Sequence, residues 1–514
     1  CVHKQGMNNP LDVVAASLEP LAPLFAAVDK LATTCYIGDV DFGLADLCTK
    51  LGDSISFPMD QVRYILMLLL VYPCAALHRF VPSATLKHVY SLVLGFWFTQ
   101  VCFGHQWVHS FFVALGTYII VFLTKSSKHM PVFIWIWAMG YMTVSHIHRQ
   151  YVHYLSWDLD YTCLQMILTQ KLTAFAYNVA DGRRTKPPAN RVEEEQATRA
   201  IKSMPTPLEY FSWVYCFFGV LAGPFFEIRE YLEMTDLTVF KDKKTGEVKV
   251  PGRTLASIKA LLYSLVWFAF YIGMNTQYPE WSTNAYHFTD AYISSSFLEK
   301  LARVWVINMV FRFKYYFAWL LAEGGCVMAG LGYNGVDKTT GKPKWDGIAN
   351  ADPIRFELAM NFRDASVFWN MRTSAWLKRT VFQRVKNRSL ALYGTYTVSA
   401  FWHGFYPGYY MFFVSAPFLT SVAGVCRAKI RPYFLKEDGE TGKPFLKPLY
   451  DVLTFLCTTI VINYLVKPFM LLAWAPSIEH WGYLYYFGHI GAALAYLVML
   501  PLPTPRKKVE AKKQ

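Results

Sequence analysis

The sequence has ten cysteines but no CxxC pair, and no Cys/His cluster has the spacing of a zinc site. That excludes the common short zinc modules, and the scattered cysteines read as mostly buried free thiols. No internal repeat of about 20–50 residues is present, which counts against a solenoid and gives no support to a repeat-built transporter. No basic nucleic-acid recognition module is visible. No short N-terminal signal peptide is evident either, because the first apolar stretch is broken by Pro20, Pro23 and Asp29.

What is present in excess is apolar and aromatic side chain. Of 514 residues, 54% are hydrophobic and 17% aromatic, with mean hydropathy +0.22. Apolar runs long enough to cross a bilayer recur along the chain, at Val62–Leu77, 86–103, 108–123, 131–145, 162–178, 208–223, 255–274, 301–321, 390–419, 448–475 and 483–500. The expected fold is all-α: one polytopic membrane domain over 61–502, with ten to eleven crossing segments. An amphipathic segment, 1–60, precedes it, including Leu11–Leu31, suited to the membrane surface or to capping the domain. A basic tail, 503–514, follows, and the positive-inside rule places it in the cytosol. The net charge of +14 therefore reads as topology and affinity for anionic headgroups, not as a nucleic-acid footprint. Two hydrophilic insertions, Ala180–Lys202 and Phe240–Arg253, carry turn-forming Gly and Pro.

Polar residues inside apolar runs are costly and need a reason. Lys171, Asn308, Arg312, Lys314, His403, Asn463 and Lys467 are such residues. Snorkelling or a helix-to-helix hydrogen bond accounts for most of them, and Arg312, Lys314 and Lys467 sit near possible span ends. His403 differs. It lies in Ser399–Tyr410, SAFWHGFYPGYY, with the nearest charged residues at Arg388 and Arg427. It is too deep to snorkel. A near-neutral imidazole there can act as a general base, or can be a core histidine bonded to a carbonyl. Gly404, Pro407 and Gly408 let the backbone bend or a substrate approach closely.

A second block, Ser366–Val385, reads SVFWNMRTSAWLKRTVFQRV. Trp369 and Trp376 fall at helical spacing. Asn370 can donate to an oxygen that gains negative charge, or can simply cap a helix. The basic run Lys378, Arg379, Arg384, Lys386 and Arg388 is either a solvated cytosolic loop or a phosphate-binding surface. One coincidence is set aside: His153–Asp158, HYLSWD, fits the H-x4-D pattern of one class of glycerolipid acyltransferases, whose later block is absent.

The ordered set resembles the membrane-bound O-acyltransferase family. It is carried by FWNMRTSAWLKRTVFQRV (368–385), by the His of SAFWHGFYPGYY 33 residues after Asn370, and by three further stretches. These are MILTQKLTAFAYNVADGR (166–183), LEYFSWVYCFFGVLAGPFFEIREY (208–231) and LAEGGCVMAGLGYNG with KPKWDGIAN (321–335, 342–350), which are similar to the lysophospholipid branch, while the WHGFYPGYY ending and the long tail most resemble its fungal broad-range members. The resemblance covers roughly residues 60–500.

It implies about eleven helices around an internal chamber, in the endoplasmic reticulum membrane, although the lysine-rich tail is an imperfect retrieval signal. It implies acyl-CoA as co-substrate and a lysophospholipid acceptor, with membrane lipids as surroundings and with no metal or tightly bound cofactor. His403 and Asn370 match the family's catalytic positions. His403 would take the proton from the glycerol hydroxyl, which attacks the thioester directly, while Asn370 assists at the carbonyl. No Cys or Ser is paired with His in the sequence, so no acyl-enzyme is required. Lys378 and Arg379 are candidates for coenzyme A phosphates, and Trp369, Trp376, Tyr315, Tyr316, Trp345, Tyr406 and Tyr410 for the lining of an acyl tunnel. Competing readings are another acceptor (a sterol, a diacylglycerol or a protein) and a lipid transporter or scramblase.

Overall fold

Backbone inside a bilayer can satisfy its polar groups only as helix or closed barrel, unless protein surrounds it. This chain uses helices. In the computed structural model, which describes residues 19–503 apart from 37, 39–42, 56, 157, 243 and 437–440, the long ones are α1 (Met59–His78), α2 (Ala84–Phe103), α3 (Trp107–Thr124), α4 (Met130–Val152), α5 (Tyr161–Gly182), α6 (Thr254–Gln277) and α7 (Phe297–Ala329). There follow the shorter α8 (Met371–Thr380), then α9 (Arg388–His403), α10 (Pro407–Ile430), α11 (Leu446–Leu471) and α12 (Phe487–Met499). Among the described residues there is no strand, only isolated bridges closing turns at 241/248, 336/343 and 435/442.

Local chemistry sets the ends. Ser296 and Glu299 form a capping box that starts α7, and Gly330 at φ +110° stops it. Asn387 accepts from Leu390 N to start α9, and Gly404 at φ +121° ends it at His403. Pro407 then opens α10 at its first turn. The run 390–419, expected as one span, is therefore two helices with a break beside the histidine.

Six stretches are long and apolar enough to cross a membrane, one of them (84–124) holding both α2 and α3. The larger expected count rests on helices such as α5 and α7, whose polar groups face inward. Segment 208–223 is not a span. It is a helix of eight residues, Pro207–Val214, followed by irregular backbone buried among α5, α7 and α8. Side chains satisfy that backbone: Lys171 Nζ donates to Trp213 O (2.9 Å) and Val214 O (3.1 Å), Cys326 Sγ to Phe218 O (3.1 Å) and Arg372 Nε to Phe225 O (2.5 Å). Snorkelling does not explain Arg312 or Lys467. Arg312 is buried in mid-α7, paired in bidentate fashion with Glu357 (2.7 Å) and bonded to Asn463 (2.8 Å). Lys467 is buried and donates to Asn284 (3.2 Å). Of the nine described cysteines, all free, three are buried, four half-buried and two exposed, so most are not fully buried as expected. A helix facing lipid exposes such thiols at no hydrophobic cost.

Apart from the short α8, which runs parallel to α7, the long helices alternate direction, so their connections gather at two ends. At one end lie 104–106, 153–160, 278–296, 404–406 and 472–486, and none of these carries a Lys or Arg. Contacts tie several of them together: Leu155 N donates to Tyr406 Oη (2.8 Å), Gly408 N to Leu472 O (2.7 Å) and Asn284 Nδ2 to Met470 O (2.8 Å). The opposite end carries most of the basic residues (Lys30, Lys50, Arg63 and Arg149 are among the exceptions), linked there by Arg183 to Lys125 O (2.7 Å), Arg384 to Asp181 (2.6 Å) and Lys429 to Leu500 O (2.7 Å). Helix Ala22–Thr34 packs Phe25 on His148 of α4, rings 5.1 Å apart. Residues 1–18 of the N-terminal segment and 504–514 of the basic tail lie outside the described residues.

Candidate active site

α5 sets the depth of both candidate catalytic residues. On α9, Trp402 Nε1 donates to Met166 O (2.9 Å). One turn along α5, Gln170 Nε2 donates to Thr373 Oγ1 of α8 (3.1 Å). The α8 and α9 helices touch through Trp376 and Trp402, whose rings are 5.9 Å apart. Asn370, one turn before Thr373, and His403, next to Trp402, are thereby held at similar depth. Both line one cavity of about 1,060 Å³, at the upper end of the usual range for small-molecule sites.

The His403 ring is held by packing. It stacks on Phe413 (5.2 Å, 22°) and meets Phe469 edge-on (5.0 Å). Among the described residues it makes no hydrogen bond to the protein, so its nitrogens are left to whatever enters the cavity. The core histidine bonded to a carbonyl is a different one: His146 on α4, buried, with Nε2 3.1 Å from Trp402 O. Asn370 occupies the N-cap position of α8, yet its side chain makes no capping bond and its backbone is left-handed (φ 44°, ψ 52°). Few residues adopt that conformation readily, Asn and Gly foremost.

The cavity reaches from Lys378, near the basic end, to Arg149, Ser156 and Asp158 at the other. Trp369, Tyr315, Tyr406 and Lys378 line it, with Ser399 beside His403. Lys378 also pairs with Glu195 (3.3 Å). Four expected liners and the second phosphate candidate lie elsewhere. Arg379 is committed to Glu227 (3.0 Å), which is 2% exposed. Trp376 donates to Thr173 Oγ1 (2.9 Å) and spaces α8 from α5. Tyr316 donates to Glu357 (2.7 Å), across the Arg312 pair. Trp345 donates to Gly252 O (3.1 Å) and packs on Phe240 and Tyr333 at the basic end. Tyr410 falls off the face of α10 on which Tyr406, Tyr409, Phe413 and Ala416 meet the cavity.

Sequence reading missed His146, Arg149 and Asn350, all of which line the cavity. Arg149 is fixed by Asp160 (3.1 Å) and Thr162 (3.0 Å). His146 and Arg149 fall just past the end of the expected span 131–145, and Asn350 stood unremarked within KPKWDGIAN. The HYLSWD coincidence forms a contact, His153 to Asp158 at 3.6 Å, but on side chains half or more exposed. Among the described residues, no group of three or more His, Cys, Asp or Glu is gathered as a metal would require.

Residues 145–467 match the family described as MBOAT, membrane-bound O-acyltransferase family. The chain belongs to the membrane-bound O-acyltransferase family. This makes it a multi-pass membrane O-acyltransferase, and the family match spans α5 to α10 and most of α11. It is 36% identical over 450 residues to the lysophospholipid acyltransferase of Schizosaccharomyces pombe, covering 85% of this chain and 86% of that one. It is 29% identical over 473 residues to the lysophospholipid acyltransferase of Saccharomyces cerevisiae, covering 88% and 75%. It is 30% identical over 498 residues to human membrane-bound glycerophospholipid O-acyltransferase 2, covering 94% and 91%.

Proposed function

We propose that this O-acyltransferase moves an acyl chain from acyl-CoA to the free glycerol hydroxyl, at sn-2, of a lysophospholipid. The observation that carries the reading is that Asn370 and His403, 33 residues apart in sequence, line one largely apolar cavity whose lining reaches towards both ends of the bundle. The relatives' names supply the acceptor class.

His403, unbonded to the protein, accepts the hydroxyl proton on a ring nitrogen. The hydroxyl oxygen forms its bond to the thioester carbon, and the Asn370 amide donates to the carbonyl oxygen as it gains charge. The carbon–sulfur bond breaks, and coenzyme A leaves as thiolate, to be protonated by the imidazolium or by water. By the positive-inside rule the basic end faces the cytosol. Acyl-CoA then enters past Lys378, the one basic candidate for its phosphates that borders the cavity. The membrane is that of the endoplasmic reticulum, which co-localisation of a tagged chain with a resident marker tests.

The test is transfer from labelled oleoyl-CoA to a panel of lysophospholipids in membranes. Wild type and His153→Ala should both be active. His403→Ala should lose about 10²–10⁴-fold. Undiminished turnover in His403→Ala sinks the general-base role. A wild type inert on every lysolipid, but active on a sterol, a diacylglycerol or a peptide, sinks the acceptor assignment.

A further inference from the structure

We propose that Asn350 is a positioning residue that keeps the Asn370 amide free for the reaction. The inference rests on the role given to Asn370 above. A residue at an N-cap normally turns its own side chain onto the N–H two or three residues on, and Asn is among the best at doing so. Asn370 sits at that position in α8 and does not. Asn350, which lines the same cavity, supplies acceptors to the start of α8 instead. Met371 N donates to Asn350 O (2.7 Å), and Arg372 N donates to Asn350 Oδ1 (3.1 Å). Of the two N–H groups that an N-cap side chain can reach, that of Arg372 is thus already satisfied.

Asn350 is itself fixed. It is 3% exposed, and its own N–H donates to Glu323 Oε2 of α7 (3.2 Å). Two residues on, Asp352 N donates to Phe368 O (3.0 Å). Arg372 clamps the same junction, donating to Gly347 O (2.9 Å) and pairing with Glu230. The start of α8 is thus capped in trans from a segment anchored on α7. Without the Asn350 oxygen, the N–H of Arg372 is open to the Asn370 side chain, two residues before it at the N-cap. The amide then turns to capping and is lost to the carbonyl it should meet. Asp at 350 keeps an oxygen at the same reach and caps as well as Asn.

The test measures kcat and KM for oleoyl-CoA with the best lysophospholipid of the panel. Asn350→Ala should lower kcat about tenfold or more, up to the loss seen on removing one oxyanion donor, with KM for oleoyl-CoA little changed. Asn350→Asp should restore kcat. The double variant Asn350→Ala/Asn370→Ala should be no slower than Asn370→Ala alone, because the first change acts only through the second residue. Losses that multiply in the double variant overturn the proposal, as does a folded Asn350→Asp no better than Asn350→Ala. If Asn350→Ala does not fold, Asn350→Asp decides alone: parental kcat supports the proposal, and a tenfold loss in folded protein overturns it. Full activity in Asn370→Ala would overturn both this inference and the role of Asn370. A wild type active only on another acceptor fails the acceptor assignment alone, and the same variants are then run on that acceptor.

Discussion

Asn370 meets two demands that can be separated by substitution. Its backbone is left-handed (φ 44°), and its amide faces the cavity without a capping bond. Glycine satisfies the first demand and not the second, while alanine satisfies neither. Asn370→Gly should therefore keep parental stability and still lose about 10²–10³-fold in kcat. Asn370→Ala should lose the same activity and in addition about 1–2 kcal/mol of stability, from strain in the left-handed region. Thermal midpoints in detergent beside acyl-transfer rates check both. Equal midpoints would show that strain at 370 is relieved elsewhere, and an active Asn370→Gly would reduce this Asn to a backbone device. His403 could be singled out in the sequence because it is an ionisable residue deep in an apolar run, whereas Asn370, equally readable as a helix cap, was picked out by the family resemblance. Arg379, Trp376, Tyr316, Trp345 and Tyr410 could not be sorted from true liners by type alone. Each differs from a lining neighbour only by which way its helix or loop turns it.

The hinge after His403 is built at the level of helices. Gly408 was expected to permit a bend or the approach of a substrate, but it admits another helix. A Cβ there would lie 2.0 Å from Pro468 O and 2.9 Å from Leu472 O, and its N–H donates to Leu472 O (2.7 Å). The α10 and α11 backbones are thus in contact at the level of the histidine, and Phe469 of α11 is one wall of the His403 ring. Gly408→Ala forces these helices apart. It should cost about 1–3 kcal/mol of stability and lower kcat by disturbing the ring. Gly394→Ala, on α9 with nothing within 4 Å of the added carbon, is the matched control and should be neutral or slightly stabilising. A Gly408→Ala variant as stable and active as the control would mean that the contact yields cheaply. Most helices could be placed from apolar runs. Failures came where side chains replace helix as partners of the backbone, as Lys171 does for Trp213 and Val214, or where one run holds two helices, as on either side of Gly404.

For the whole molecule, the distribution of charge makes a prediction that no single residue makes. Five connections at one end, 104–106, 153–160, 278–296, 404–406 and 472–486, contain no Lys or Arg, although the chain carries 50 of them. The bundle therefore has one insertion direction under the positive-inside rule, with the basic end cytosolic. The two substrates gain different access from it. With the basic end in the cytosol, a charged, water-soluble thioester can reach Lys378 without crossing the bilayer, whereas the Arg149, Ser156 and Asp158 end of the cavity lies towards the opposite side of the membrane. Two exposed positions report this directly: Lys186 in the loop after α5 and Glu280 after α6. In sealed microsomes, Lys186→Cys should react with an impermeant maleimide added outside, giving a mass shift beyond the parental pattern. Glu280→Cys should react only once the membrane is permeabilised. The reverse pattern would put the basic end in the lumen and remove Lys378 as the point of acyl-CoA entry. Outside labelling of both would mean that the chain does not hold one orientation, and the cavity would then have no fixed donor side.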